Sequence, residues 1–309
     1  MTPFLIGIRM TALQEISQHP GSEAGIRLFI KRDDLIHPVV AGNKWRKLGL
    51  LLDRLQAEHT PGIVTFGGPF SNHLHAVAAA GNLFNIKTTG VVRGEHVDLQ
   101  NPTLAYAQSC GMRLFPVSKK EYDLGESSVA VTKILQEFPD YYVLPEGGST
   151  PLGVAGCAAI GSEILGQVPD RTPDTNLFVC VPAGTGCTAA GVLAGLQGRG
   201  VALVFPAAPY GIDSDRIKNH LRGAGYPAYE NFKIIHDYIF GGFARWSADI
   251  EAFTKKFQET YGILPDPVYT AKMLYGVFDL LEKGFFSKNS TVVAVHTGGL
   301  QGWDGYNRR

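Results

Sequence analysis

Short apolar runs rich in β-branched residues alternate along the chain with longer segments of helical spacing. The runs cover 27–31, 62–66, 87–92, 112–117, 141–144, 176–181, 201–206 and 291–296. Helix-length segments cover 44–58, 72–84, 102–110, 127–138, 154–166, 187–196, 250–261 and 271–283. This alternation predicts an α/β fold with mostly parallel sheets. The run Thr291-Val292-Val293-Ala294-Val295 has no polar alternation, as expected of a strand covered by helices on both faces. Leu48, Leu51, Leu52 and Leu55 repeat at helical spacing and predict a core-facing stripe. No internal repeat or low-complexity tract interrupts the pattern. The polar, proline-containing segment 169–176 reads as a connection.

Composition narrows the function classes. A length of 309 residues suggests two domains or one large one. With 45% hydrophobic and 18% charged residues, a large core is expected and a mostly disordered chain is excluded. Lys+Arg and Asp+Glu are both 28, so neither a nucleic-acid partner nor a polybasic membrane contact is expected. The four cysteines, Cys110, Cys157, Cys180 and Cys187, form no C-x-x-C pair; a reducing cytoplasm is the simpler expectation. The first residues lack a basic stretch followed by a long apolar one, so no signal peptide is expected. No run reaches the roughly 18 apolar residues of a membrane helix.

The chemistry is concentrated in glycine-rich loops at strand ends. The strand ending at Val181 runs into Gly184-Thr185-Gly186-Cys187-Thr188 and then a helix. Such a turn offers backbone N–H groups and a helix dipole to a phosphate. The spacing Gly184-x-Gly186-x-x-Ala189 also matches a loose dinucleotide fingerprint, but the next strand ends in Phe205-Pro206-Ala207-Ala208, without the acid that a ribose requires. A single phosphate is therefore favoured over NAD, with a tight packing turn as the bland alternative. Further loops are Gly67-Gly68-Pro69-Phe70-Ser71-Asn72, Glu146-Gly147-Gly148-Ser149 and His296-Thr297-Gly298-Gly299. In open α/β sheets, ligands sit beyond the carboxyl ends of strands, so the four loops point to one crevice. Taken alone, Ser71 or Asn72 reads most simply as a helix cap.

Lys44 follows the turn Gly42-Asn43 and opens a helix. A helix N-terminus disfavours a protonated amine, which suits a Schiff-base nucleophile. On spacing alone a surface lysine is the plainer reading, because Arg46 and Lys47 lie beside it. The pair His73 and His75 suggests a metal, yet residues i and i+2 of a helix point about 200° apart, and no metal site is expected. Asp33 and Asp34 read as caps or as partners of Lys31 and Arg32, and Cys187 as a small packed residue.

Six segments carry a family resemblance: Lys31-Arg32-Asp33-Asp34, Gly42-Asn43-Lys44-x-Arg46-Lys47-Leu48, Ser71-Asn72-His73, Arg93-Gly94-Glu95, Asp266 to Lys272 (DPVYTAK) and His296-Thr297-Gly298-Gly299. Through them the chain resembles the fold type II, tryptophan synthase beta-like, pyridoxal-phosphate enzymes. Within these it is most similar to the 1-aminocyclopropane-1-carboxylate deaminase/D-cysteine desulfhydrase family. The resemblance implies two open, twisted, mostly parallel sheet domains with pyridoxal 5'-phosphate in the cleft between them. It places a large domain at 1–48 and 153–309, a small inserted one at 49–152, and a homodimer.

The resemblance also assigns roles. Lys44 would hold the cofactor as a Schiff base and shuttle protons, and Asn72 would bond the cofactor's 3′ oxygen. Gly184, Thr185, Gly186, Cys187 and Thr188 would cradle its phosphate, and Thr297 would face the pyridine nitrogen. Ser71 and Tyr269 would act on a small amino-acid substrate, with Asn43, Asn72 and His73 lining its pocket. A neutral threonine at the ring nitrogen is expected to weaken the electron sink in favour of elimination. The deaminases carry Glu after the tyrosine, where this chain has Thr270, and an apolar residue where Thr297 stands; both positions resemble the desulfhydrases. Phe243, in Gly241-Gly242-Phe243, stands where a second tyrosine is common, and Phe70 departs from the usual approach to Ser-Asn. The expected activity is α,β-elimination from D-cysteine or a related β-substituted D-amino acid. The alternatives are cyclopropane deamination, an NAD-binding oxidoreductase, and a non-catalytic small-molecule binder.

Overall fold

A computed structural model describes residues 10–40, 42–169 and 176–306. Among the described residues, ten strands form two sheets. The first is ordered β1-β2-β10-β7-β8-β9, from Leu13–Ile16 (β1), Arg27–Lys31 (β2), Thr291–Val295 (β10), Leu177–Ala183 (β7), Val201–Pro206 (β8) and Phe232–Ile234 (β9). The second is ordered β5-β4-β3-β6, from Arg113–Val117 (β5), Lys87–Arg93 (β4), Gly62–Gly67 (β3) and Tyr142–Leu144 (β6). All pairings are parallel except β1 with β2. The expected α/β class with mostly parallel sheets is what the chain adopts.

The apolar strands are buried on both faces, as their composition demands. In β10, Val293 and Val295 join one core cluster while Val292 and Ala294 join the cluster on the other face. Neighbouring β7 divides the same way, with Val179 and Val181 on one side and Cys180 on the other. The second sheet repeats the arrangement, with Ile63 and Val92 on one face and Val64 and Val91 on the other.

Helices α1 (Asn43–Ala57), α2 (Asn72–Phe84), α6 (Pro151–Gln167), α7 (Cys187–Leu196) and α10 (Thr270–Glu282) bear on the site. The stripe Leu48, Leu51, Leu52 and Leu55 is buried. Helix α7 presses closely on α6: a Cβ on Gly195 would lie 1.9 Å from the Ala158 carbonyl oxygen. That seam fixes where the α7 N-terminus points.

Several elements depart from the expectation. Strands β1 and β9 were absent from the apolar pattern because they are short edge strands; β1 buries only Ile16. Helix α8 (Ser214–Gly223) was absent because it is strongly polar and buries only Ile217 and Leu221. Short helices α4 (Lys119–Asp123) and α11 (Gly302–Tyr306) lie where no helix was expected. Helix α9 runs Ala248–Tyr261 and α3 Pro102–Ser109. Helix α5 spans Val129–Glu137, shorter than 127–138, because Ser128 caps it through Oγ on Val131 N. Helix α6 starts three residues earlier than expected, since Thr150 caps Gly153 N and Pro151 occupies its first turn. Of the expected connection 169–176, residues 170–175 lie outside the described residues, as do residues 1–9.

Candidate active site

Lys44 sits in the first turn of α1, and the preceding turn is held by contacts only glycine permits. Gly42 has φ +63°, and a Cβ there would lie 1.7 Å from the Thr297 carbonyl oxygen. That carbonyl accepts the Asn43 N–H at 3.2 Å. The Lys44 loop and the loop after β10 are thereby laid against each other. The Lys44 ammonium donates to Asn43 Oδ1 at 3.2 Å, and Asn43 Nδ2 donates to Thr188 Oγ1 at 2.8 Å. Asn43 therefore links the lysine to the glycine loop before α7.

Two residues on, on the other side of α1, Arg46 is buried with no exposure and anchors the helix. It reaches both oxygens of Asp33 (3.1 and 3.0 Å) and both of Glu163 (2.5 and 2.9 Å). Lys31 completes the cluster, donating to Glu163 at 2.6 Å and to the Thr11 carbonyl at 2.7 Å. Two cations and two carboxylates balance, and the forked guanidinium meets each acid with two bonds. The expected partner of Asp33 was Lys31 or Arg32. Asp34 does take the expected partner, Arg32, but Asp33 pairs with Arg46 instead. The reason is register, because Lys31 at the end of β2 reaches past Asp33 toward α6.

A cavity at the carboxyl ends of the strands takes in Asn43, Lys44, Asn72, Gly184, Thr185, Gly186, Thr188, Tyr269 and Thr297. A wider chamber opens beside it, sharing Lys44, Asn72, Gly184 and Tyr269 and adding Ser71 and His73. Every candidate residue lines one or both except Cys187, whose thiol is buried and lies 3.8 Å from the Gly148 carbonyl oxygen. Cys187 contributes to the loop through its backbone.

Ser71 caps α2, its Oγ accepting from His73 N and Leu74 N at 3.2 and 3.3 Å. The cap does not consume the hydroxyl proton, so Ser71 can both cap and donate into the chamber. Asn72 Oδ1 accepts from Gln301 Nε2 at 2.6 Å, which turns the amide nitrogen toward Gly299. A Cβ on Gly299, which has φ +91°, would stand 2.5 Å from that nitrogen. His73 is buried and its Nε2 lies 2.8 Å from Thr65 Oγ1. Because Thr65 donates its own proton to the Leu144 carbonyl, the network assigns the His73 proton to Nε2 and leaves Nδ1 a buried acceptor with no partner among the described residues. Burial first, then Lys44 and Lys47, hold His73 well below the ordinary imidazole pKa.

The loop before α7 is built for an anion. Gly186 at the N-cap supplies no side-chain cap, so the first-turn N–H groups are left for a ligand. Thr185 is fixed from both sides, its Oγ1 accepting from Ser149 at 2.7 Å and its carbonyl meeting His220 Nε2 at 2.9 Å. Lys47, one turn after Lys44, enters the same cavity and donates to the Gly147 carbonyl at 2.9 Å.

Tyr269 stands at the start of α10, held by Asp266. One Asp266 oxygen accepts from Val268 N and Tyr269 N at 3.0 Å each, and the other from Thr270 N at 2.7 Å. Thr270 Oγ1 in turn accepts from Asp266 N at 2.6 Å. A Cβ on Gly184 would meet the Tyr269 hydroxyl at 3.1 Å, so the phenol overlies the glycine loop. Thr297 follows β10, in a turn set by His296: Nδ1 accepts from Gly298 N at 3.2 Å and Nε2 contacts the Leu264 carbonyl at 2.9 Å.

The enclosure shifts the reactive groups in opposite senses. Burial, with Lys47 adding repulsion, lowers the Lys44 pKa from 10.5 to about 7. Burial, with Asp266 and Glu146 adding to it, raises the Tyr269 phenol above its usual value of 10.0. Residues the sequence reading left without a role are Lys47, Asp266, Gln301 and His220. Lys47 and Asp266 lie inside the quoted segments, and their spacing to Lys44 and Tyr269 was the available signal. Gln301 and His220 are brought in only by tertiary packing. Among the described residues no cluster of His, Cys, Asp or Glu could hold a metal ion.

The donor set fits pyridoxal phosphate: an enclosed amine of lowered pKa, an uncapped helix N-terminus behind a glycine loop, and an oriented amide between them. Comparison with known proteins agrees. The family described as pyridoxal-phosphate dependent enzyme matches residues 4–298. The bifunctional D-cysteine desulfhydrase/1-aminocyclopropane-1-carboxylate deaminase, mitochondrial, of Arabidopsis thaliana is 31% identical over 301 residues, covering 92% of this chain and 75% of that protein. D-cysteine desulfhydrase of Klebsiella pneumoniae is 27% identical over 307 residues, covering 93% and 90%. The crystal structure of an ACC deaminase homologue superposes with a TM-score of 0.83 at 26% identity, covering 97% of this chain and 92% of that one. With nearly its whole length matched, the chain belongs to the pyridoxal-phosphate dependent enzyme family and has its fold type II architecture.

Proposed function

We propose that the chain is a D-cysteine desulfhydrase-like lyase, converting D-cysteine and water to pyruvate, ammonia and sulfide by breaking the β-carbon–sulfur bond. The observation that carries this is the pairing, across one cavity, of an amine brought to a pKa of about 7 with a phenol held protonated. Groups whose surroundings push their pKa values apart divide naturally into base and acid. Pyridoxal phosphate, when bound, supplies the electron sink that makes the substrate's α-proton removable. Lys44 attaches the cofactor and, when its amine is free, takes that proton. Tyr269 stays a phenol near neutrality and donates toward the departing sulfur. Ser71 and the backbone at the start of α2 receive the substrate carboxylate, with His73 beside them, and Asn43 lines the pocket. The turn Gly184, Thr185, Gly186, Cys187 and Thr188, with Lys47, holds the phosphate. Asn72, steadied by Gln301, donates to the 3′ oxygen.

The neighbourhood of Thr270 favours elimination over cyclopropane opening. Its hydroxyl is occupied by Asp266 N, and the Asp266 carboxylate is committed to three backbone N–H groups. This turn therefore offers no acid to the pyridine nitrogen, which is left to neutral Thr297. Purified, cofactor-loaded protein tested with D-cysteine and with 1-aminocyclopropane-1-carboxylate separates the readings. Sulfide and pyruvate from the first, and little 2-oxobutanoate from the second, is the expected result; the reverse would reject the desulfhydrase reading.

The proposal extends to organisation. A large domain of residues 1–48 and 153–309 and a small one of 49–152 is supported by the strand grouping, since β3 to β6 make one sheet and the remaining strands the other. A homodimer in the cytoplasm is the accompanying expectation. The four cysteines are free thiols, in keeping with a reducing compartment, and no described helix is long and apolar enough to cross a membrane.

A further inference from the structure

We propose that Lys272 is a positioning residue that ties one wall of the substrate chamber to the helix carrying Tyr269. Lys272 lies one turn after Tyr269 on α10, and its side chain is only 1% exposed. Its ammonium donates to three backbone carbonyls: Gly242 at 2.5 Å, Ile239 at 2.8 Å and Ala207 at 3.3 Å. Three donors meet three acceptors, which only the charged form of a lysine can do. The carbonyls belong to two separate segments, the end of β8 and the loop 239–242.

The residues next in sequence to two of these carbonyls face the chamber. Ala208 follows Ala207 and Phe243 follows Gly242, and both line it. Phe243 sets its ring edge-on to Tyr269 with centroids 5.8 Å apart. The loop also closes on itself through the Gly242 N–H, which donates to the Ile239 carbonyl at 3.2 Å, and Phe240 packs edge-on to Tyr275 with centroids 5.1 Å apart. Phe240 and Ala244 have φ of 52° and 53°, and Gly241 and Gly242 have φ of 79° and 117°. Left-handed conformations at non-glycine residues persist only where surrounding contacts over-determine them. Lys272 supplies such contacts at the two ends of the turn. Phe243 lacks the hydroxyl with which a tyrosine would bond, so its position depends on this backbone tie and on ring packing.

The inference rests on the chamber being the substrate site, as proposed above, and its test keeps the two apart. In pyridoxal-phosphate-loaded protein, Lys272→Met is expected to quicken amide hydrogen exchange across residues 239–245 by about tenfold. It should also raise KM for D-cysteine about tenfold while kcat changes by less than about threefold. The visible cofactor absorbance should be retained. Phe243→Ala, with Lys272 intact, should raise KM similarly but leave exchange at 239–242 as in the unaltered chain. Unchanged exchange in Lys272→Met, or a fall in kcat at constant KM, would overturn the assignment. Failure of both Lys272→Met and Lys272→Gln to fold would also overturn it, by making the residue a support of the whole domain. If the unaltered protein releases no sulfide, the function reading fails, and the exchange measurement still decides the role of Lys272.

Discussion

The reactivity proposed for Lys44 rests chiefly on enclosure. A helix N-terminus disfavours an ammonium by a modest amount, whereas burial and the neighbouring Lys47 bring the amine to about 7. The group's pKa is depressed, so it is protonated and unreactive below that value and neutral above it. In cofactor-free protein the rate of pyridoxal phosphate uptake should therefore rise with pH through about 7 and then level off; a rise continuing toward 10, as for an ordinary lysine, would contradict this. At Thr297 the prediction concerns reaction outcome. Thr297→Asp places an acid where a neutral hydroxyl stands, and the ratio of pyruvate formed to D-cysteine racemised should fall. An unchanged ratio would count against the role given to Thr297. Much of the site was legible at this scale because Lys44, Asn72, the Gly184 turn and Thr297 each sit in a short segment whose order carries information. Gln301 was not, since its bond to Asn72 spans 229 positions and no local spacing encodes it.

At the scale of elements, helix α1 is fastened to β2 and α6 by the Arg46, Asp33, Glu163 and Lys31 cluster. Removing one member leaves buried charge uncompensated, which costs about 3–5 kcal/mol. Arg46→Leu should lower unfolding stability by that order in denaturant titrations and weaken cofactor binding with it; a loss below about 1 kcal/mol would mean that α1 is held by its leucine face alone. The cluster also has a pH signature. Burial would raise the Glu163 pKa, but hydrogen bonds from Arg46 and Lys31 win and lower it below 4.5. Its contribution is thus present above pH 4.5 and lost as pH falls through the lower folded value. Elements with a strong apolar pattern, such as the leucine stripe of α1 and the unbroken run of β10, could be read from the chain. Helix α8 could not, because two buried residues on a polar helix leave too faint a periodicity. With it went His220, which braces Thr185.

Over the whole molecule, segments from both sheets converge on one cavity, so a ligand bound there should stabilise the fold as a unit. The start of α2 and the loop after β6 on one side, and the loops after β7 and β10 on the other, all line the cavity. Ligand at about 100 times its Kd contributes about 2.7 kcal/mol, a rise of a few degrees in Tm for a chain of this size. Pyridoxal phosphate should raise Tm of the unaltered chain and do so much less in Lys44→Ala; equal shifts would place the cofactor elsewhere. The two-sheet plan was visible in the strand and helix alternation, while the placement of Gln301 and Lys272 depended on how distant segments meet. The most direct measurement is borohydride reduction of the cofactor-loaded protein followed by peptide mass analysis. The expected result is one pyridoxyl group per chain, on Lys44. A pyridoxyl group on another lysine, or none on a protein that carries bound cofactor, would contradict the site described here.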